Sequence, residues 1–407
     1  MSQRNLAVVK TLTYAMFAMF AMTTDSVGLI IPEIVKTFRL TLTAAGTFQY
    51  ATMAGIALAG LGLGTLSDRL GHRRTIVIGL TAFAGASFLF AVGDTFMFFV
   101  VLMGLSGIAI GVFKTGALAL VGDISRSTAE HTSIMNTAEG FFGIGSIVGP
   151  AVLAYLLTTG VSWKWLYVSA GTMCVALIVM ALSVRYPKAT ARPPGVAMNG
   201  TINAMKNPYV LAFSAAAFLY VGVEAAIYVW MPTLFAGYQG RATWLAGYGI
   251  SIFFALRAAG RFLGAWMLLR LQWHAAVAVL AGAILACFAL SVAMGVDWAV
   301  YLLPASGLFM SVIYPTINSK GISCAPKADH GAAAGVILFF TCVSAVLAPL
   351  AMGAVSDAMG QITYGFWLAT GFAGLLFGIL LLNWLTDPTR AVLEQLDLAE
   401  YKQEPST

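Results

Sequence analysis

Six ionisable side chains stand inside apolar stretches of this 407-residue chain: Asp25, Lys114, Glu139, Glu224, Arg257 and Arg261. The run "SGIAIGVFKTGALAL", Ser106 to Leu120, is apolar or small at every position except Lys114. A charge at the centre of a membrane span costs at least about 2.5–3.5 kcal/mol, so each of the six is expected to face a partner or a cavity. Three acids against three bases points to pairing. Asp25, in "TTDSVGLIIP", has no other charge within a helical turn along the chain. A carboxylate so placed can load and release a proton, and Asp25 and Glu139 are the expected proton-coupling residues. Glu224 reads equally as a hydrogen-bond acceptor for a substrate or as a partner of Arg257. Arg257 and Arg261, four residues apart on one helix face, read as a structural charge pair.

Other polar and aromatic residues offer binding material within the same stretches: Gln49, Tyr50, Tyr220, Tyr228, Trp230, Tyr314 and Asn318. A sugar needs amide and carboxylate groups for its hydroxyls and a flat ring for its apolar face. Lys114, Glu224, Gln49, Tyr50, Tyr228, Tyr314 and Asn318 are therefore the substrate-binding candidates. No phosphate-cradling G-x-x-x-x-G-K-[ST] loop and no catalytic constellation occurs, so neither ATP drive nor enzymatic activity is expected, and no cofactor. His72, His131, His274 and His330 show no metal spacing and read as solvated residues at helix ends. Cys174, Cys287, Cys324 and Cys342 are far apart and read as small core residues, so no metal site is expected.

The elements that must position these groups follow from composition. Hydrophobic residues make up 60% of the chain and charged residues 9%, against about 25% charged in a soluble domain. Too few charges remain to coat a water-exposed surface, so the chain is a polytopic membrane protein in contact with lipid. Its net charge of +6 lacks the basic stripe with interleaved aromatics of a nucleic-acid binder. Reading for runs of about 20 apolar residues gives twelve spans: 10–33, 44–66, 75–93, 97–121, 133–157, 164–183, 208–235, 244–268, 275–294, 298–322, 332–355 and 362–385. Lys and Arg lie fifteen to four on the side of the N-terminus, with Lys114, Arg257 and Arg261 inside spans. By the positive-inside rule both termini are cytoplasmic, in the inner membrane. The first apolar run lacks a small-residue cleavage site and reads as a retained helix rather than a signal peptide.

The stretch "RYPKATARPPGVAMNGTINAMKNP" separates six spans from six. The expected organisation is an N-terminal six-helix bundle over 1–184, a cytoplasmic linker over 185–207, a second bundle over 208–386 and a cytoplasmic tail over 387–407. The halves echo each other at an offset near 200 residues: Gly60 and Gly64 with Gly260 and Gly264, Gly107 with Gly307, Pro150 with Pro349, Asp25 with Glu224. Such a parallel repeat places a site between the halves near the midplane. With about 1.5 Å rise per residue, Lys114 and Glu139 each lie about 8–9 Å to the cytoplasmic side of their span midpoints, on consecutive helices. Depth matching therefore predicts a Lys114–Glu139 pair that opens when an acid is protonated. Lys114 also reads as a counter-charge to an anionic substrate, or as a modulator of a nearby carboxylate.

"GTLSDRLGHRR" lies between the second and third spans, and its Gly64, Asp68, Arg69, Gly71, Arg73 and Arg74 resemble the signature loop of the major facilitator superfamily. The resemblance implies an all-α fold of two six-helix bundles, alternating access, and a conformational latch at these gating residues. "FLYVGVEAAIYVWMPTLF", "GRFLGAWML", "GLFMSVIYPTI" and "AEGFFGIGS" further resemble the fucose, galactose and glucose proton symporters of that superfamily. That likeness implies proton-driven uptake of a sugar or sugar-like small polar solute, with Asp25 as a proton site; the expected working unit is a monomer. One departure stands out: where those symporters carry a glutamate before a threonine in the fourth span, this chain has Lys114-Thr115. Two other readings follow from residues. Lys114 points to a small organic anion, such as a sugar acid. Asn136, Gly145, Gly149 and Pro150 partly match the fifth-span motif of drug:proton antiporters, or simply let helices pack closely.

Overall fold

The computed structural model describes residues 3–62, 70–125, 128–186, 202–326 and 329–400, and among them the only regular structure is helical. The long helices, in chain order, are α1 (Gln3–Thr24), α2 (Val27–Phe38), α4 (Thr47–Gly62), α5 (His72–Leu89), α6 (Phe96–Ile124), α7 (Thr128–Thr158), α8 (Lys164–Ser183), α9 (Pro208–Ala225), α11 (Thr243–Arg270), α12 (Trp273–Met294), α13 (Val296–Met310), α14 (Ile313–Ser323), α15 (His330–Met359), α16 (Thr363–Thr386) and α17 (Arg390–Glu400). Two four-residue helices, α3 (Leu42–Ala45) and α10 (Met231–Leu234), complete the set. Among the described residues nine helical stretches are long and apolar enough to cross a membrane. The other three expected spans, 44–66, 75–93 and 244–268, fall on α4, α5 and α11.

Local chemistry sets the helix ends. The Thr95 hydroxyl accepts from the Phe98 amide at the start of α6. The Asn207 side chain accepts from Tyr209 and Val210 amides, with Pro208 at the first helical position of α9. Gly360, at φ +75°, ends α15 in the left-handed conformation that suits glycine.

Three expected spans are interrupted within their length. The first breaks at Asp25–Ser26, between α1 and α2, and the tenth at Ser311–Val312, between α13 and α14. The seventh passes through a π-helical turn, Ala226–Trp230, between α9 and α10. Both repeat-related acids stand at such places: Asp25 in the break itself, Glu224 two residues before the π-turn. Irregular backbone at membrane depth is tolerated only where protein or a water-lined cavity covers it. Ser26 meets part of this need locally by donating to the Met22 carbonyl.

The described residues group into two compact units. The first comprises Met1–Arg192 with Met231–Ala236 and Ala246–Phe254; the second comprises Pro193–Trp230, Gly237–Leu245 and Ala255–Thr407. Within the first, α1 packs on α7 and α8, and α5 packs on α6 and α8. Within the second, α9 packs on α15 and α16, and α12 packs on α13 and α16. The same helix pairs thus recur in order, as a parallel repeat requires. Close approach relies on bare backbone: a Cβ on Gly107 would meet the Thr52 carbonyl oxygen, and one on Gly55 the Gly104 carbonyl oxygen. In the second unit Gly260 and Gly264 admit Leu308, Ser311 and Val312 in the same way.

Three histidines differ from expectation. His72 is 2% exposed and its Nε2 lies 2.8 Å from Asp123 Oδ2. His274 is buried with Nε2 2.7 Å from Gln272 Oε1, and His330 is half-buried with Nε2 3.1 Å from the Ala325 carbonyl. They cap and tie helix ends rather than standing in water, a role that sequence position alone does not separate from a solvated loop. His131 lies on α7, but its side chain is outside the described residues. Cys174, Cys287 and Cys324 are buried and Cys342 half-buried, and none of the four is in a disulfide.

Glycine contacts differ sharply between neighbours, which sets a test. Gly107→Ala should lower stability by about 1–3 kcal/mol through overpacking. Gly104→Ala, where an added Cβ meets nothing within 4 Å, should stay within about 0.5 kcal/mol. Thermal unfolding of the two variants in detergent checks this; equal losses would rule out the close-contact role.

Candidate functional site

The first cluster is built on the break in the first span. Asp25 is 8% exposed, and its Oδ2 accepts from the Ser146 hydroxyl of α7. Its Oδ1 lies 3.5 Å from the Thr24 hydroxyl, which also donates to the Phe20 carbonyl. Ser146 reaches Asp25 because its neighbours have no side chain. A Cβ on Gly145 would fall on the Ala18 carbonyl oxygen, and one on Gly149 on the Met22 backbone. The two glycines therefore bring α7 onto α1 at the level of the carboxylate. A hydrogen bond to a charged group contributes about 1.5–3 kcal/mol, more than a neutral one.

Behind this break lies a small cavity with about 10 Å³ of space for a water centre, lined by Thr23, Thr24, Thr52, Ser106 and Tyr167 among others. That is about the space one water needs. Ser106 is buried, and its hydroxyl has no hydrogen-bond partner among the described residues. Gln49, on α4, is 0% exposed, and neither amide atom is hydrogen-bonded among the described residues. A buried amide without partners costs about 1–3 kcal/mol. Tyr50, beside it, is buried.

The second cluster lies around the π-turn. Glu224 is 8% exposed and accepts from Nη1 of Arg257 in a direct ion pair. Arg261, one turn further along α11, is exposed. The Tyr220 hydroxyl donates to the Met310 carbonyl at 3.0 Å, where the tenth span breaks, and its ring lies 5.7 Å from that of Tyr314. Tyr228 is buried within the π-turn. Trp230 Nε1 donates to the Pro349 carbonyl at 3.1 Å, tying the turn to α15. Asn318 is half-buried on α14.

Lys114 is half-buried on α6. Its Nζ lies 5.0 Å from the ring centre of Phe20 and 5.8 Å from that of Phe17, both on α1. Glu139 is exposed on α7, and among the described residues the two form no ion pair. The expected pair is absent because depth along an axis does not specify azimuth: Lys114 is turned toward α1. The phenyl faces attract the ammonium by about 0.5–2 kcal/mol but supply no counter-charge.

A family model described as Major Facilitator Superfamily matches residues 13–349. The chain belongs to that superfamily. It is 24% identical over 403 residues to the L-fucose-proton symporter of Escherichia coli (strain K12), covering 88% of this chain and 89% of the relative. It is 22% identical over 374 residues to a glucose/galactose transporter of Brucella abortus, covering 88% of this chain and 90% of the relative. The crystal structure of the nucleoside transporter NupG superposes with a TM-score of 0.74 at 14% identity, over 93% of this chain and 98% of that one. The all-α major facilitator fold follows from these likenesses together with the helical architecture.

Of the signature loop of this facilitator, Gly64, Asp68 and Arg69 lie outside the described residues. Gly71, at φ +81°, turns the chain into α5 through the left-handed region. Arg73 is exposed and donates from Nη2 to the Leu182 carbonyl at 3.0 Å, and Arg74 is exposed. Thus Asp25 is joined to α7, and Glu224 to Arg257, while Lys114 and Glu139 are not joined. Sequence reasoning missed Ser146, Thr24, Phe17 and Phe20. The signal for Ser146 was present, since it sits within the Gly145–Gly149 pair, but a serine in an apolar helix more often bonds its own backbone.

The Glu224–Arg257 pair gives a double-mutant test. Arg257→Leu should destabilise by about 3–5 kcal/mol by leaving a buried carboxylate without its cation. Glu224→Gln combined with Arg257→Leu should recover more than half of that loss in thermal unfolding. A double mutant as unstable as Arg257→Leu alone would show that the pair is not what holds this region.

Proposed function

We propose that this facilitator couples protons to the uptake of a sugar or sugar-like small polar solute by alternating access. The observation that carries the reading is Asp25: a carboxylate enclosed at a break in the first span, with a hydroxyl donor from α7 against one oxygen. The named activities of the fucose and glucose/galactose relatives support the same class of substrate. Asp25 is the coupling site. Its proton is exchanged when the Ser146 contact rearranges between conformations. Glu139, exposed on α7, takes part as a second proton acceptor. Gln49, Tyr50, Glu224, Tyr228, Tyr314 and Asn318 supply hydrogen bonds and ring faces to the solute. The loop from Gly64 to Arg74 latches the cytoplasmic ends of the second and third spans. The working unit is a monomer of twelve spans in the inner membrane, with both termini in the cytoplasm.

Vesicles containing the purified protein, an imposed inward proton gradient and labelled fucose, glucose or galactose test this. Wild-type protein should accumulate at least one of the three above equilibrium. Asp25→Asn should abolish accumulation while leaving downhill exchange of the same sugar at a tenth of the wild-type rate or more. Uphill transport by Asp25→Asn at near wild-type rate would remove Asp25 from the coupling mechanism.

A further inference from the structure

We propose that Lys114 is the carboxylate-recognising residue of this transporter, and that its substrate is an acidic sugar or a similar small polyhydroxylated carboxylate rather than a neutral sugar. The inference rests on the transport function proposed above and narrows its substrate class.

The membrane charges of this chain do not have equivalent surroundings. Glu224 and Arg257 neutralise each other directly. Asp25 is held by hydroxyl groups. Lys114 is the only basic residue of the 29-residue helix α6, and among the described residues its ammonium meets two phenyl faces and no carboxylate. A ring face attracts a cation but accepts no directional hydrogen bond, so the three N–H donors of the ammonium remain available. The rings attract the ammonium but leave it without a counter-charge among the described residues. A cation retained there gains most when a ligand brings the missing anion.

The placement fits such a ligand. Asp25 stands in the break just past the end of the helix that carries the ring seat, five residues after Phe20, or about 7.5 Å at the helical rise. A hexuronate laid along α1 presents its carboxylate to Lys114 and its far hydroxyls toward the Asp25–Ser146 level. The seat is also releasable. A four-carbon stem lets the ammonium swing off Phe20 without moving the helix, and no hydrogen bond has to break.

The rival role is a permanent cation–π staple between α6 and α1. The two differ in what Lys114 variants do to matched acidic and neutral sugars. The test uses the full-length protein in vesicles, with galacturonate and galactose as probes. Wild-type protein should take galacturonate with a KM at least tenfold below that for galactose. Lys114→Gln should raise the galacturonate KM at least tenfold and change the galactose KM less than twofold, while Lys114→Arg keeps the preference for the acid. Phe20→Leu should lower the galacturonate KM about two- to fivefold, because the ring no longer competes for the ammonium; a staple has no reason to give tighter binding. A wild-type preference for galactose, or an equal loss of both probes in Lys114→Gln, would overturn the inference. If galactose is nonetheless accumulated against its gradient, the transport reading stands without it. If wild-type protein accumulates neither probe nor the sugars tested above, both readings fall together.

Discussion

The contact of α7 with α1 through bare backbone is the constraint on which the rest of the first unit depends. Gly145 and Gly149 leave no side chain between the helices, so the α1 carbonyls of Ala18 and Met22 meet the α7 surface directly. Only at that separation can a side chain as short as Ser146 reach the Asp25 carboxylate. A methyl group at either glycine would collide with the α1 backbone, so the helices would have to move apart. In a bilayer, where lipid is as apolar as the helix surface, such close packing replaces the hydrophobic drive that would hold helices together in water. The same glycine positions that partly match an antiporter motif thus have a sufficient explanation in packing.

Much of the architecture was legible in the sequence because membrane spans are written in composition. Over the described residues every expected span is mainly helical, and Lys164–Ser183 coincides with its expected bounds. The pairing of Glu224 with Arg257 was one of two equally open readings, and the structure forms it. The breaks were not legible. Nothing in "TTDSVGLIIP" distinguishes a helix interrupted at Asp25 from a continuous one, since neither glycine nor proline stands at the break itself. Interruption there depends on what covers the freed backbone groups, which is a tertiary property.

Lys114 shows the limit from another side. Its depth was readable from spacing, but its neighbours were not. Phe17 and Phe20 belong to a helix almost a hundred residues away in the chain, and as phenylalanines in a membrane helix they carried no mark of a special role. The structure distinguishes them because one face of each ring is turned to an ammonium. His72 and Asp123 were hidden for the same reason: each alone is a polar residue near a helix end, and only packing of α5 on α6 makes them a pair.

The π-turn at Ala226–Trp230 bears on how the two halves correspond. Asp25 and Glu224 are 199 positions apart (224 minus 25), whereas Gly60 and Gly260 are 200 apart (260 minus 60). A π-turn holds one residue more than an α-turn. Between these two pairs the second half is longer by one residue, which the π-turn of the seventh span can hold, and the offset is 199 again at Pro150 and Pro349 (349 minus 150). An added residue spread along a helix would rotate everything beyond it by about 100°. Confined to one turn, and fixed by Trp230 to the Pro349 carbonyl, it leaves Glu224 in the place of Asp25 while turning the residues after it to a different face. The seventh span can thus match the first at its acid while presenting different residues beyond the turn.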